Sequence, residues 1–288
     1  MRSEYYTYIQ ENSVEGSGTA HSYVRALDML GPILKNQTTT FAHHSDIWSI
    51  QIPATIEQLY EFILKEQRKK ETGIFSGHKP ASYWEGGYYS AALGSYKNFL
   101  VSYQYIQQHE DRLWKIYKEA KSSSSKLSSE LENAEFKEIE KIIPEKDVDF
   151  STKEGKEKLR LTKTRVNQNF FRKMILAEYN AQCCITGLNV PEVLRASHIV
   201  GWAEDEQNRM NPANGLCLSA TYDAAFDRHL ISFDDDYRLI LSPSLKEHYT
   251  NQAFKDQFLA IEGQKIKMPK LFLPAKRLLA RHRDEVIA

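Results

Sequence analysis

The sequence is short of cysteine, net charge and long apolar runs, and each shortage excludes something. Its 288 residues contain three cysteines, Cys183, Cys184 and Cys217. An odd, sparse set makes no disulfide framework and suits a reducing compartment. No pair has the C-x2-C spacing of a zinc ribbon, and adjacent thiols rarely both reach one metal. They read as small buried hydrophobes, so no structural zinc is expected. No apolar run approaches the roughly 18 residues needed to span a bilayer, so no membrane association is expected. The opening MRSEYYTYIQENSVEG lacks the apolar segment of a secretory signal, which makes the cytoplasm the expected location.

Formal net charge is zero, which removes any global electrostatic argument for a polyanionic partner. The local distribution says more. Residues 263–283 hold seven Lys or Arg and no acid, and residues 161–200 hold five basic residues against two acidic ones. Residues 201–236 reverse this, with two basic and eight acidic residues. Basic segments flanking an acidic one suit a protein that grips phosphates around a metal site. Solvated charged faces explain the same pattern equally well.

No internal repeat is visible. Residues 1–120 read as a helical domain. Ser17 or Thr19 would cap a helix through Tyr23, Leu27 and Leu30, with Gly31 and Pro32 as its stop signal. Thr55 opens a capping-box pattern ahead of Ile56, Leu59, Tyr60 and Ile63. The stretch from Tyr88 to Lys121 has the period of one or two long helices, and its tyrosines read as bundle packing. Residues 121–160, rich in Ser, Lys and Glu, read as a linker with a short helix near 133–143 that Pro144 ends. Residues 161–182 return to helical period through Val166, Phe170, Met174, Ala177 and Ala181. ASHIV, GLCLS, LISF and YRLIL then read as strands, TYDAAFDR as a short helix, and the C-terminus as a helix opened by Pro274. The expected class is α+β.

Three words of this second half could carry chemistry: ASHI at 196–199, NGL at 214–216 and YDAAFD at 222–227. On a helix, Asp223 and Asp227 share one face, where their mutual repulsion invites a cation. Carboxylate oxygens favour Mg2+ or Mn2+ over zinc. Taken singly, the acids are explained by a helix cap and a solvated charge. Likewise His198 alone reads as a core residue, and Asn214 as a turn.

Taken in order, the C-x-T-G turn, ASHI, R-x-N-P-x-N-G-L and FDRHLISF resemble the HNH endonuclease family over roughly residues 160–240. The resemblance implies a ββα-metal nuclease domain, flanked by helices and spanning 161–288. It implies His198 as general base and Asn214 as the residue orienting the strand pair. It places Asp223 and Asp227 at metal-ligand positions, with Ser197 where many relatives carry Asp or His. Arg172, Arg195, Arg209 and Arg228 become candidates for binding DNA phosphates, as does Lys173, with His229 as a spare donor or ligand. The implied activity is metal-dependent hydrolysis of double-stranded DNA, in restriction or phage defence, with residues 1–120 reading the target. A double-strand cut from one site per chain favours a homodimer. The alternatives are an inactive HNH-fold DNA-binding protein and a less selective toxin nuclease.

Overall fold

The computed structural model describes residues 1–287 except Glu15, 37–39, 70–71, 121–122, Glu135, 137–138 and 144–148. The chain forms two compact units, residues 1–108 with 137–162, and residues 109–136 with 163–288. The fold is α+β, and no described helix is long and apolar enough to cross a membrane.

The first unit is helical. It holds α1 (Arg2–Asn12), α2 (Thr19–Lys35), α3 (Pro53–Arg68), the single turn α4 (Ser82–Glu85) and α5 (Tyr88–Glu119) as far as residue 108. Apolar residues three and four apart give α2, α3 and α5 one buried stripe each. Leu27, Leu30 and Leu34 of α2, Ile56, Leu59 and Ile63 of α3, and Leu93 and Leu100 of α5 fill the core. Tyrosines complete it. Tyr5 donates its hydroxyl to Ala92 O at 3.1 Å and Tyr96 to Ile50 O at 3.2 Å, so neither of these two buried phenols is left unpaired.

Two local expectations fail here. Gly31 and Pro32 do not stop α2, which carries both and runs on to Lys35. Burial of Ile33 and Leu34 beyond them offsets the proline, and a Cβ at Gly31 would lie 2.2 Å from Ser45 O. That glycine permits a close approach. The capping box at Thr55 is also absent, because α3 starts at Pro53 and Thr55 lies inside its first turn.

The stretch read as a linker contains α6 (Ser124–Glu132), capped by Ser123 Oγ, with Leu127 and Leu131 buried. Ser128 Oγ also donates to Gln207 O at 2.7 Å, so this segment packs into the second unit. The helix expected near 133–143 is a 3-10 turn at Ile139–Ile142, and Pro144 lies outside the described residues. Helix α7 (Lys153–Glu178) starts earlier than expected and ends before Ala181, where Asn180 and Ala181 adopt positive φ of 52° and 50°.

The second unit then alternates short elements. An antiparallel pair, β1 (Leu194–His198) and β2 (Gly215–Ser219), leads into α8 (Ala220–Phe226). A second antiparallel pair, β3 (Ile231–Phe233) and β4 (Leu239–Leu241), precedes α9 (Pro243–Lys246), α10 (Gln252–Gln257) and α11 (Lys276–Ile287). Their common core includes Phe170, Met174, Leu216, Leu218, Phe226 and Phe233. A buried carboxylate ties its margin. Glu178 accepts from the Tyr117 hydroxyl, from Leu271 N at 2.9 Å and from Phe272 N at 3.4 Å, so the buried carboxyl group is hydrogen-bonded.

Candidate active site

The site is built at the end of the first hairpin. Its register pairs Ser197 with Leu216 and His198 with Gly215. The connection between the strands, residues 199–214, closes on Asn214, which is fully buried. Asn214 Oδ1 accepts from Val200 N at 2.9 Å, and Nδ2 donates to Val200 O and Asn208 O, both at 3.0 Å. Ile199 N adds a bond to Asn214 O at 2.9 Å. One amide therefore fixes the chain on leaving β1, immediately after His198.

Helix α7 presses on this hairpin where it is narrowest. A Cβ at Gly215 would lie 2.3 Å from Ile175 Cδ1 and 2.9 Å from Phe171 Cζ, so only glycine admits the helix. Phe171 uses that proximity to stack on the His198 ring, with centroids 3.9 Å apart and planes at 12°. Trp202 meets the same ring edge-on at 5.5 Å. Neither aromatic was singled out from the sequence. The adjacent Phe170 takes the core face in the helical period of α7, and Trp202 lies between the two expected strands, where no periodicity marks it.

His198 Nε2 lies 3.0 Å from Arg209 O. A carbonyl can only accept, so Nε2 bears the hydrogen and Nδ1 keeps its lone pair. Nδ1 has no hydrogen-bond partner among the described residues. Burial lowers the pKa of the ring, opposed in part by the bond to Arg209, so the imidazole is neutral near pH 7. It can therefore accept a proton through a defined atom.

A second stacked histidine shows what this arrangement is not. His282 of α11 lies on Phe226 with centroids 3.7 Å apart, and its Nε2 donates to Phe226 O at 3.0 Å. Its Nδ1, however, faces Ser232 Oγ at 3.0 Å. Both nitrogens are used, and burial pushes its pKa down to about 4. His282 is a satisfied core residue, and nothing local in the sequence announced it.

The acids lie on the other side of β1. Consecutive strand residues leave opposite faces, so Ser197 points away from His198. Ser197, almost wholly buried, donates its hydroxyl to Asp223 Oδ1 in the first turn of α8. Asp227 follows one turn later, its N donating to Asp223 O at 2.9 Å. Its carboxyl pKa is raised, first by loss of surrounding water and then by the charge of Asp223, with Arg228 and His229 acting the other way. The structure thus brings together Ser197, Asp223 and Asp227. It links them to His198 through the backbone at residues 197–198.

Two carboxylates and a hydroxyl are hard oxygen donors that match a hydrated divalent cation, which typically takes one or two carboxylates and completes its shell with water and phosphate. Loss of surrounding water first, and the charge of Asp223 second, disfavour the Asp227 carboxylate, and a cation would offset both. Among the described residues, no three His, Cys, Asp or Glu side chains gather as a metal-binding group. The three cysteines are buried, and burial holds the Cys184 and Cys217 thiols up, the latter to about 12. Protonated thiols are poor metal ligands.

The candidate arginines are largely used internally. Arg172 donates to Leu194 O at 2.8 Å and to Pro191 O at 3.0 Å, holding the start of β1. Arg209 donates to Trp202 O at 2.7 Å, pairs with Glu206 at 3.1 Å and lies over the Trp202 ring. Arg195 and Arg228 are exposed and reach only carbonyls near them in sequence. Lys173 pairs with Glu110 at 2.6 Å, and His229 with Glu285 at 3.2 Å. The C-terminal basic run meets acids of the 201–236 stretch: Arg281 pairs with Glu204 at 2.9 Å and Arg283 with Asp235 at 3.0 Å. Part of the charge segregation seen in sequence is therefore internal neutralisation.

Residues 183–234 match the model of a family described as HNH endonuclease. The matched stretch, less than a fifth of the chain, contains Ser197, His198, Asn214, Asp223 and Asp227. No curated protein matches the chain.

Proposed function

We propose that the protein is a metal-dependent endonuclease that hydrolyses double-stranded DNA, with His198 as general base. The observation that carries this reading is the state of the imidazole. Its Nε2–H is tied to Arg209 O while Nδ1 is open, on the strand residue that follows the partner of Asp223. In this reading Nδ1 removes a proton from water as the water oxygen bonds to phosphorus. The bond from phosphorus to O3′ breaks and O3′ takes a proton from a solvent water, leaving a 5′-phosphate and a 3′-hydroxyl. Asp223 and Asp227, with Ser197 in support, would hold Mg2+ or Mn2+. When bound, such an ion neutralises phosphate charge and stabilises the leaving oxygen. Asn214 acts by holding the backbone after His198. The exposed guanidinium groups of Arg195 and Arg228 are the better placed of the four arginines to meet DNA phosphates, while Arg172 and Arg209 serve the fold.

The wider role we propose is restriction or phage defence in the cytoplasm, as a homodimer, with the helical unit of residues 1–108 and 137–162 reading the target and the unit of residues 109–136 and 163–288 cutting. The test is digestion of methylated and unmethylated phage DNA with Mg2+, Mn2+ or chelator, followed by end sequencing. Metal-dependent fragments with 5′-phosphates are expected. No cleavage of any of these DNAs would remove the assignment. A second reading, an inactive HNH-fold DNA-binding protein, draws support from the direct bond between Ser197 and Asp223, which already gives that carboxylate a partner. Calorimetric titration with Mn2+ separates the two: heat that disappears in Asp223→Ala/Asp227→Ala favours the nuclease.

A further inference from the structure

We infer that α11 is a positioning element for His198, acting through Arg277 and Arg281, which clamp the connection between β1 and β2. This rests on the nuclease reading above and goes beyond it. The connection supplies the carbonyl that sets the imidazole tautomer, Arg209 O. A long surface loop holds one carbonyl in place only if it is tied along its length.

The ties come from α11 and its approach. Arg281 Nη2 reaches Glu204 Oε2 at 2.9 Å, Arg277 Nη2 reaches Asn208 Oδ1 at 3.3 Å, and Ala275 N donates to Ala213 O at 2.8 Å. Glu204 and Asn208 precede Arg209 in the loop and Ala213 follows it, so the three anchors bracket the carbonyl. Arg277 and Arg281 are four residues apart and share one helix face. Asn208 passes the tie inward, because its own carbonyl accepts from Asn214 Nδ2 at 3.0 Å. Arg281 and Glu204 are both about half exposed, at 49% and 56%. An ion pair so placed adds little to stability. Its consequence is geometric: it fixes where the loop lies, and through Arg209 O which imidazole nitrogen is free.

The experiment uses the full chain with 15N-labelled histidine, the His198 signals being identified by their loss in His198→Gln. In the wild type, Nε2 should be protonated and Nδ1 not. In Arg277→Ala/Arg281→Ala the two nitrogen signals should move toward an average of both tautomers. On phage DNA with Mn2+, kcat should fall about tenfold with KM within about twofold, as expected when a catalytic group is slightly misplaced. Arg277→Lys/Arg281→Lys should recover part of both effects. Arg283→Ala, on the same helix but bonded to Phe233 O and Asp235, should leave tautomer and kcat unchanged. An unaltered tautomer and kcat in the double alanine variant would overturn the inference, as would an equal loss in Arg283→Ala. A tautomer that responds in a wild-type background that cuts no DNA would uphold the clamp and sink the nuclease reading alone.

Discussion

The surroundings of His198 and His282 invite direct comparison. Each imidazole is stacked on a phenylalanine and donates Nε2–H to a backbone carbonyl at 3.0 Å. They differ at one atom. Nδ1 of His282 meets Ser232, whereas Nδ1 of His198 has no partner among the described residues. Burial and stacking are therefore common to both rings; what sets His198 apart is an Nδ1 lone pair with no partner among the described residues. A closed hydrogen-bond set stabilises the fold, and an open one leaves room for substrate chemistry.

The sharpest way to break this comparison is to remove each ring. His198→Ala should lower DNA cleavage per folded molecule by about 10²–10⁴-fold, the usual contribution of a general base. His282→Ala should lower Tm and leave cleavage per folded molecule nearly intact. Equal rates for the two variants, read from plasmid digestion at matched folded fraction, would erase the distinction. Next in size is Asn214→Ala, which strands Val200 N and Val200 O and removes one of the two hydrogen bonds to Asn208 O. Leaving such buried groups unpaired should cost about 3 kcal/mol, measurable by urea unfolding.

The pH response of His282 follows in magnitude. Its pKa of about 4 in the folded protein lies below the ordinary histidine value. Between the two, the unfolded chain binds the proton more readily, so acid favours unfolding. The stabilisation is complete above pH about 6.5 and falls as pH drops toward about 4, by about 3 kcal/mol in all. His282→Gln should flatten this part of the stability curve. The smallest effect expected is that of Ser232→Ala, which empties Nδ1 of His282 and should cost about 1–2 kcal/mol without creating a second cleavage centre.

What could be read from the sequence was what sits in short contiguous words. ASHI, NGL and YDAAFD named the residues around the hairpin and α8, and the helical period found the buried stripes of α2, α3 and α7. Boundaries were harder. Gly31 and Pro32 look like a terminus because local rules ignore the burial of Ile33 and Leu34 that carries α2 past them. Residues 124–132 look like tether because only Leu127 and Leu131 are large and apolar there, yet both are buried. The supports of the candidate site were invisible for another reason. Phe226 and His282 are 56 residues apart, and Glu204 and Arg281 are 77 apart. No local period reports such partners.

Gly215 sets a limit on how this hairpin can vary. One hydrogen atom in place of a methyl group decides how near Ile175 and Phe171 lie to the paired strands. Any side chain at 215 would force a gap between helix and hairpin, and the aromatic plane beneath residue 198 would recede with it. The freedom of the whole region to exchange residues is thus tightest where the chain has least matter.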